Sequence, residues 1–542
     1  MSDNIANTLS ETAEKSGERI ALIEAASGCS CTFGELDQAA GSYAAYLQKQ
    51  GAKPGERVIL MVRPSIDFIA LTFALFRIGT PVILIDPGMG YKNLLTCIEN
   101  VRPDYLIGVP VAVGLSYLYG GRFRSVKKRF CCGSFFGIKG FDIRRQSDRA
   151  VQNPDLFKPD RDALAAIIFT TGSTGPPKGV RFEHAIFSAQ LQKIRSYYEI
   201  GAGDIDQPGF PLFALFSTAL GATAVIPDMD PTKPARVDAR KFVDSLLAYQ
   251  VTYSFGSPAI WHAVSNYCQK HSISCASLKK VLMAGAPVSG ELIQRVYKML
   301  GDDAQIHIPY GATESLPIVS IEGREVVEKT WKQTRKGRGA CVGRPLPGIQ
   351  LKIIEAVEHP LTEISDVREC ALGEIGEIIV KGDVVTRAYE KNEKENQLSK
   401  IKDGDGFWHR IGDAGFLDEQ SRLWFCGRKA HRVRARHGLM YTICCEAIVN
   451  NHPQVFRSAL VGIGTFSRGQ IPVIIVELKQ SVNRPDEEII GEIKQLCAEH
   501  RLTSSIEHVL THPSFPVDIR HNAKIFREKL AVWASRKIGG TP

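Results

Sequence analysis

The chain has 542 residues, 44% hydrophobic and 23% charged, with 67 Lys and Arg against 58 Asp and Glu for a formal charge of +9. That length exceeds one ordinary hydrophobic core, so two or more domains are expected, and the balance excludes an intrinsically disordered chain. The 13 cysteines are scattered without zinc-finger spacing, so reduced thiols in a cytoplasm are expected rather than a metal or disulfide framework.

In chain order, MSDNIANTLSETAEK (1–15) is polar and acidic, unlike a secretory signal. TFGELDQAAGSYAAYLQKQG (32–51) has helical periodicity, and RVILMV (57–62) reads as a strand. The most apolar stretch, IDFIALTFALFRIGTPVILIDPG (66–88), is broken by Arg77 and by Gly79-Thr80-Pro81. It predicts a buried helix, a turn and a buried strand rather than a membrane span. YLIGVP (105–110), ALAAIIFTT (163–171), GATAVIP (221–227) and SLKKVLMAG (277–285) predict further strands between helices. Such alternation implies an α/β fold with parallel sheets covered on both faces. The apolar run at 213–227 suits either an acyl pocket or ordinary core packing.

From PLPGIQLKIIE (345–355) the texture turns to short strands, LKIIE, GEIGEIIVKG and LWFCGRKAHRVRA. After GRKAHRV come the strands SALVGIG (458–464) and QIPVIIVELK (470–479) and the helix DEEIIGEIKQLCAEH (486–500). The expected division is a large domain over 1–427, with parallel α/β layers and a β-barrel-like part, and a small, mobile α+β domain over 428–542.

Residues 121–149, GRFRSVKKRFCCGSFFGIKGFDIRRQSDR, carry nine Lys and Arg against two Asp, with five Phe interleaved. A surface insertion whose Phe residues pack on the main domain is the first reading. A docking site for a membrane surface or an assembly partner comes second, and nucleic acid last; no nucleic-acid partner is expected.

FTTGSTGPPKGV (169–180) follows an apolar strand. Its glycines let backbone N–H groups converge, its hydroxyls add donors, and Lys178 adds charge, features that suit phosphate oxygens. Alone it is about as compatible with an ordinary Gly-rich turn. It is not a Walker loop, because Pro177 precedes Lys178 and Gly179 follows it, which leaves no hydroxyl for a metal.

These residues resemble the phosphate loop of the adenylate-forming superfamily, and further motifs follow in that family's order. MAGAPV (283–288) resembles its adenine-flanking turn, YGATESLP (310–317) its Tyr-Gly-x-Thr-Glu motif, HRIGDAGFLDEQSRLWFCGRK (409–429) its Gly-Asp and Gly-Arg pair, and FPVDIRHNAKIFREKL (515–530) its terminal lysine motif. The resemblance implies attack of a carboxylate on the α-phosphate of ATP, giving an acyl-adenylate and pyrophosphate. It further implies that Thr170, Thr171, Gly172, Ser173, Thr174, Gly175 and Lys178 cradle the β- and γ-phosphates. Gly285, Ala286 and Pro287 would line the adenine pocket, and Tyr310, followed by Gly311 and Ala312, would stack on the base. Thr313 would contact the α-phosphate, Glu314 would ligate Mg2+, Asp413 and Arg428 would hold the ribose, and Lys524 would reach the forming bond.

Where most of the superfamily guides a thiol with G-x-R-I-x-P-x-E-I-E, this chain has HGLMYTICCEAI (437–448), and PLFALF (211–216) has Ala214 where acyl-CoA synthetases often have His. With GRKAHRV and the terminal motif, these segments resemble the β-lactone synthetases of bacterial long-chain olefin biosynthesis. That resemblance implies a long-chain 2-alkyl-3-hydroxyalkanoic acid as substrate, ring closure by its own 3-hydroxyl, and no use of CoA. It also implies company: a condensing enzyme, a reductase and a β-lactone decarboxylase, in the cytoplasm or peripherally on a membrane or assembly. His431, His437 and His521 are candidates for the base by chemical type alone. A long-chain acyl-CoA synthetase or fatty acyl-AMP ligase is the alternative enzyme, and a lipid- or protein-binding scaffold the non-catalytic one.

Overall fold

A computed structural model describes residues 4–133, 142–147, 154–170, 176–480, 484–517 and 525–539. Two sheets dominate the larger part. The first has six strands, in the order Lys128–Cys131, Tyr105–Gly108, Val58–Met61, Val82–Leu84, Leu164–Thr170 and Lys178–Glu183. All neighbours are parallel except the last pair. The predicted helix at the start of the chain forms as Phe33–Lys49, with Thr32 and Glu35 making a reciprocal capping box. The apolar stretch resolves into the helix Ile66–Arg77 and the strand Val82–Leu84. Arg77 is buried there, paired with Asp37 and donating to the Ser10 hydroxyl at 2.8 Å. No helix of the described residues is long and apolar enough to cross a membrane.

The second sheet has 14 strands among the described residues. Its parallel block runs Ile20–Glu24, Thr223–Ile226, Ile205–Asp206, Tyr253–Gly256, Lys280–Met283 and Gln305–Ala312. Antiparallel strands continue it through Ser315–Glu322 and Ala340–Pro345 to Leu423–Arg428, Gly406–Leu417, Gly376–Lys381 and Gln350–Ile354. The expected barrel-like part is thus an extension hydrogen-bonded to the parallel block.

The C-terminal part has its own sheet of Val455–Ile463, Ile471–Leu478 and His508–Thr511. Alternate residues of its strands face opposite helices, as a two-residue side-chain period requires. Leu460, Ile474 and Val476 pack on Ile489 and Ile493 of Asp486–Ala498, whereas Val461, Val473 and Ile475 pack on Leu530 and Ala534 of Arg527–Ile538. The helix Thr442–Val449 sits between the two parts. Cys444 joins the core of the larger part with Trp424 and Cys426, and Cys445 joins the C-terminal core with Val433 and Ile489. Gly427, at φ 127°, lies so close to the Thr442 hydroxyl that a side chain there would collide with it.

The basic, Phe-rich segment is corrected along its described length. Lys128–Cys131 is an edge strand of the first sheet. Of the five Phe residues, Phe130 within that strand and Phe123 before it pack in cores of the main body, as expected. Residues 134–141, 148 and 149 lie outside the described residues.

Candidate active site

In open α/β sheets, ligands bind beyond the carboxyl ends of parallel strands. Leu282 and His307 are register partners, so Gly285 and Tyr310, three residues on in each strand, lie level at that edge. Gly285 turns the chain at φ 96°, a conformation that favours glycine, and leads into the partly exposed Ala286 and the exposed Pro287. Tyr310 donates its hydroxyl proton to Asp413 Oδ2 at 2.6 Å, and its ring lies 5.8 Å from that of Phe425.

Asp413 and Arg428 are register partners in adjacent antiparallel strands, which brings Arg428 Nη1 to 3.0 Å from Asp413 Oδ1. Burial pushes the Asp413 carboxyl up, while Arg428 and the Tyr310 hydroxyl pull it back down. Asp413 in turn holds the Arg428 guanidinium more firmly protonated. The structure therefore brings four of the expected residues, Gly285, Tyr310, Asp413 and Arg428, to one edge.

Thr313 and Glu314 occupy the turn between Gln305–Ala312 and Ser315–Glu322. The Ser315 carbonyl approaches Gly311 too closely for any side chain there. Glu314 Oε1 accepts a hydrogen bond from Tyr389 Oη at 2.7 Å, and the Glu314 carbonyl accepts from the Thr386 amide at 2.8 Å. Lys178, register partner of Thr170, places Nζ 2.6 Å from Glu395 Oε2 and 5.4 Å from the centre of the Tyr389 ring. Lys400 donates from Nζ to the Thr386 carbonyl, and burial pushes its ammonium down to about 7 against the pull of Glu314 and Glu183. Thr171, Gly172, Ser173, Thr174, Gly175 and Lys524 lie outside the described residues.

Tyr389, Glu395 and Lys400 escaped the sequence reading. They sit in TRAYEKNEKENQLSK (386–400), whose charge density reads as a solvated loop. Of the candidate bases, His431 Nε2 lies 3.2 Å from Glu528 Oε1, His437 is exposed in the turn between two short strands, and His521 lies outside the described residues. His431 also acts on the Asp413 carboxyl, lowering it, after Arg428 and the Tyr310 hydroxyl in strength.

Behind Pro309, Leu316 and Pro317 a cavity opens, lined by Phe213, Phe216 and Leu220 from the predicted apolar run and by Ile194, Phe255 and Leu282. It encloses about 610 Å³ of atom-free space, open mouth included. Other residues of that run, Leu215 and Ala219, are buried in the core, so the segment contributes both to the cavity wall and to core packing.

An AMP-binding enzyme family model matches residues 9–390. The chain is 40% identical to an olefin beta-lactone synthetase of Xanthomonas campestris pv. campestris, covering 98% of each sequence, and 39% identical to one of Stenotrophomonas maltophilia, covering 99% of this chain and 98% of that protein. Among solved structures, it resembles an anthranilate CoA ligase in complex with anthranoyl-AMP, with a TM-score of 0.80 and 18% identity over 99% and 98% of the two chains. An o-succinylbenzoate CoA synthetase from Bacillus subtilis in complex with ATP and magnesium ion follows at 0.76 and 22%, over 97% and 99%. These last two likenesses concern the fold. With the family match spanning residues 9–390, the chain belongs to the AMP-binding enzyme family.

Proposed function

We propose that the chain is an ATP-dependent β-lactone synthetase acting on a long-chain 2-alkyl-3-hydroxyalkanoic acid. The observation that carries this reading is the end-to-end 40% identity with the Xanthomonas olefin beta-lactone synthetase. In the first step a carboxylate oxygen bonds to the α-phosphorus of ATP, and the bond to pyrophosphate breaks. In the second, the 3-hydroxyl oxygen attacks the acyl carbonyl, its proton departs, and the acyl–phosphate bond breaks to release AMP and a four-membered lactone.

Two anions must meet in the first step, so positioned charge is the main resource. In this reading Thr170 to Gly175 and Lys178 cradle the terminal phosphates, and a polyphosphate competes with Glu395 for the Lys178 ammonium. Gly285, Ala286, Pro287 and the ring of Tyr310 hold adenine, the Asp413–Arg428 pair takes the ribose hydroxyls, and Thr313 meets the α-phosphate. Among the described residues no cluster of three His, Cys, Asp or Glu forms a metal cage. Magnesium at nucleotide sites takes one or two carboxylates plus phosphate oxygens, and Glu314, held by Tyr389, fits that donor set. When bound, the ion neutralises phosphate charge. Residues 1–427 form the nucleotide- and acid-binding domain, and 428–542 bring Lys524 to the α-phosphate.

The nucleophile of the second step is tethered to the acid, which gives it a high effective concentration, reduced by ring strain. No CoA is needed. The acid implies a preceding carbon–carbon condensation and ketone reduction, and the lactone a following decarboxylation, so cytoplasmic partners of those classes fit the reading.

The test is incubation of enzyme, ATP and magnesium with a racemic 2-alkyl-3-hydroxy acid, with and without CoA. The expected result is lactone and AMP without CoA, and loss of pyrophosphate release by about 100-fold or more in Lys524→Ala. A product formed only with CoA would move the chain to the acyl-CoA synthetases.

A further inference from the structure

The cavity behind Tyr310 has a polar end, and the strand register fixes how far away that end lies. Tyr253 is the register partner of both Asp206 and Lys280, and Lys280 of Gln305, so Asp206, Tyr253, Lys280 and Gln305 form one row across the sheet. Phe255 and Leu282 stand two residues further on, and Pro309 four. An even spacing puts all these side chains on the same face, and four residues at about 3.3 Å each separate the two rows by about 13 Å.

The helix His184–Tyr198 gives an independent measure. Gln190 holds the Leu316 carbonyl at 2.8 Å beside the mouth, and Ile194 and Tyr198 line the cavity one and two turns later. Eight residues at about 1.5 Å each make about 12 Å. The two rulers agree.

At the far row the apolar lining is interrupted. Asp206 is buried, its Oδ2 accepts from Ser217 Oγ at 2.5 Å, and its Oδ1 makes no hydrogen bond. The Tyr253 hydroxyl lies close enough to both groups to perturb them. Among the described residues no cation faces this cluster; Asp204 is the charged neighbour that acts on Asp206, and burial lifts the carboxyl well above the usual range, which favours its neutral form.

We propose that the Asp206–Ser217–Tyr253 cluster is the floor of the acid-binding cavity and sets the longest chain it accepts. This rests on the reading above that the cavity takes one chain of the acid. Carbon–carbon bonds of about 1.5 Å in a zigzag advance about 1.25 Å per carbon, so about ten carbons span the distance from mouth to floor. Up to that length each methylene is buried against phenylalanine and leucine and gains affinity. Beyond it, a methylene must part Ser217 from Asp206 and leave their polar atoms unpaired against hydrocarbon, which costs affinity.

The experiment measures kcat/KM for pyrophosphate release over 3-hydroxy acids of increasing length. In the wild type it should rise about fourfold per methylene and break near the floor. Asp206→Ala should move the break outward by about two carbons, the length of side chain removed, and Asp206→Asn, which keeps size and neutrality, should leave it in place. Ser217→Ala, which opens the same floor, serves if Asp206→Ala does not fold, and should move the break in the same direction. Ile194→Phe, halfway down, should shorten the accepted chain. If Ile194→Phe shortens it while the floor variants change nothing, the floor is overturned and the acid cavity stands. If Ile194→Phe also changes nothing, the acid cavity itself falls. A terminally hydroxylated acid preferred by tenfold or more would overturn the stop by making the cluster a receptor for a polar chain end.

Discussion

Asp206 and Asp413 are 1% and 4% exposed, one at the far row of the cavity and the other against the Tyr310 hydroxyl, and burial raises both carboxyls. Their neighbours then separate them. Asp413 meets a guanidinium at 3.0 Å and a phenol at 2.6 Å, so it has partners that favour its anion; the partners of Asp206 are hydroxyls, and burial favours its neutral form. An acid needs a counter-charge to remain ionised in a protein interior, and without one it becomes an uncharged polar group. The edge at Tyr310 is built on the first arrangement and the far end of the cavity on the second.

The largest break in this comparison should come from Asp413→Ala. It strands Arg428 and the Tyr310 hydroxyl, and steady-state pyrophosphate release should lose about 100- to 1000-fold in kcat/KM, with Asp413→Asn losing less.

His184 sharpens the comparison from the basic side. It is buried between the rings of Phe76 and Phe157, with no hydrogen bond to Nδ1 and no counter-charge, and burial pushes it down to about 4 from 6.5. As pH falls through 6.5 the unfolded chain takes up a proton that the folded chain refuses until about 4. Stability is therefore complete above 6.5 and declines by about 3 kcal/mol between there and 4. Urea unfolding at several pH values should reveal this slope, and His184→Phe should flatten it.

Asp206→Asn should have the smallest effect at acid pH, within about 1 kcal/mol of the wild type, because the native carboxyl already carries its proton. A carboxyl raised in the folded state stabilises fully below the unfolded value of 3.8 and loses that contribution as pH rises. Between pH 4 and 7 the wild type should therefore lose stability relative to the variant, a contribution opposite in sign to the rise that His184 gives the wild type over the same interval.

Much of this was legible because periodicity and turn chemistry are local. The helix behind Thr32 and the strand before Gly285 follow from short stretches of sequence, whereas Tyr310 to Glu314 stand out only through their resemblance to a family motif. Asp206 was not legible, since GDIDQPGF (203–210) reads as a solvated acidic loop and only the sheet around it makes it interior. Tyr389 and Lys400 were hidden for the same reason, by the charges around them. The strand Lys128–Cys131 was masked by its basic residues, which an edge strand carries comfortably because its outer side faces water. Charge marks a residue as polar; whether it is wet depends on what the rest of the chain puts over it.

The neighbouring thiols of Cys444 and Cys445 point into separate interiors, which makes the helix that carries them a party wall. A swing of the C-terminal sheet that leaves this wall standing has to bend the chain beyond Val449. A swing that carries the wall along has to draw Cys444 from its seat beside Cys426 and open a thiol-sized void in the larger body. The fulcrum of any such motion is therefore decided by a single sulfur.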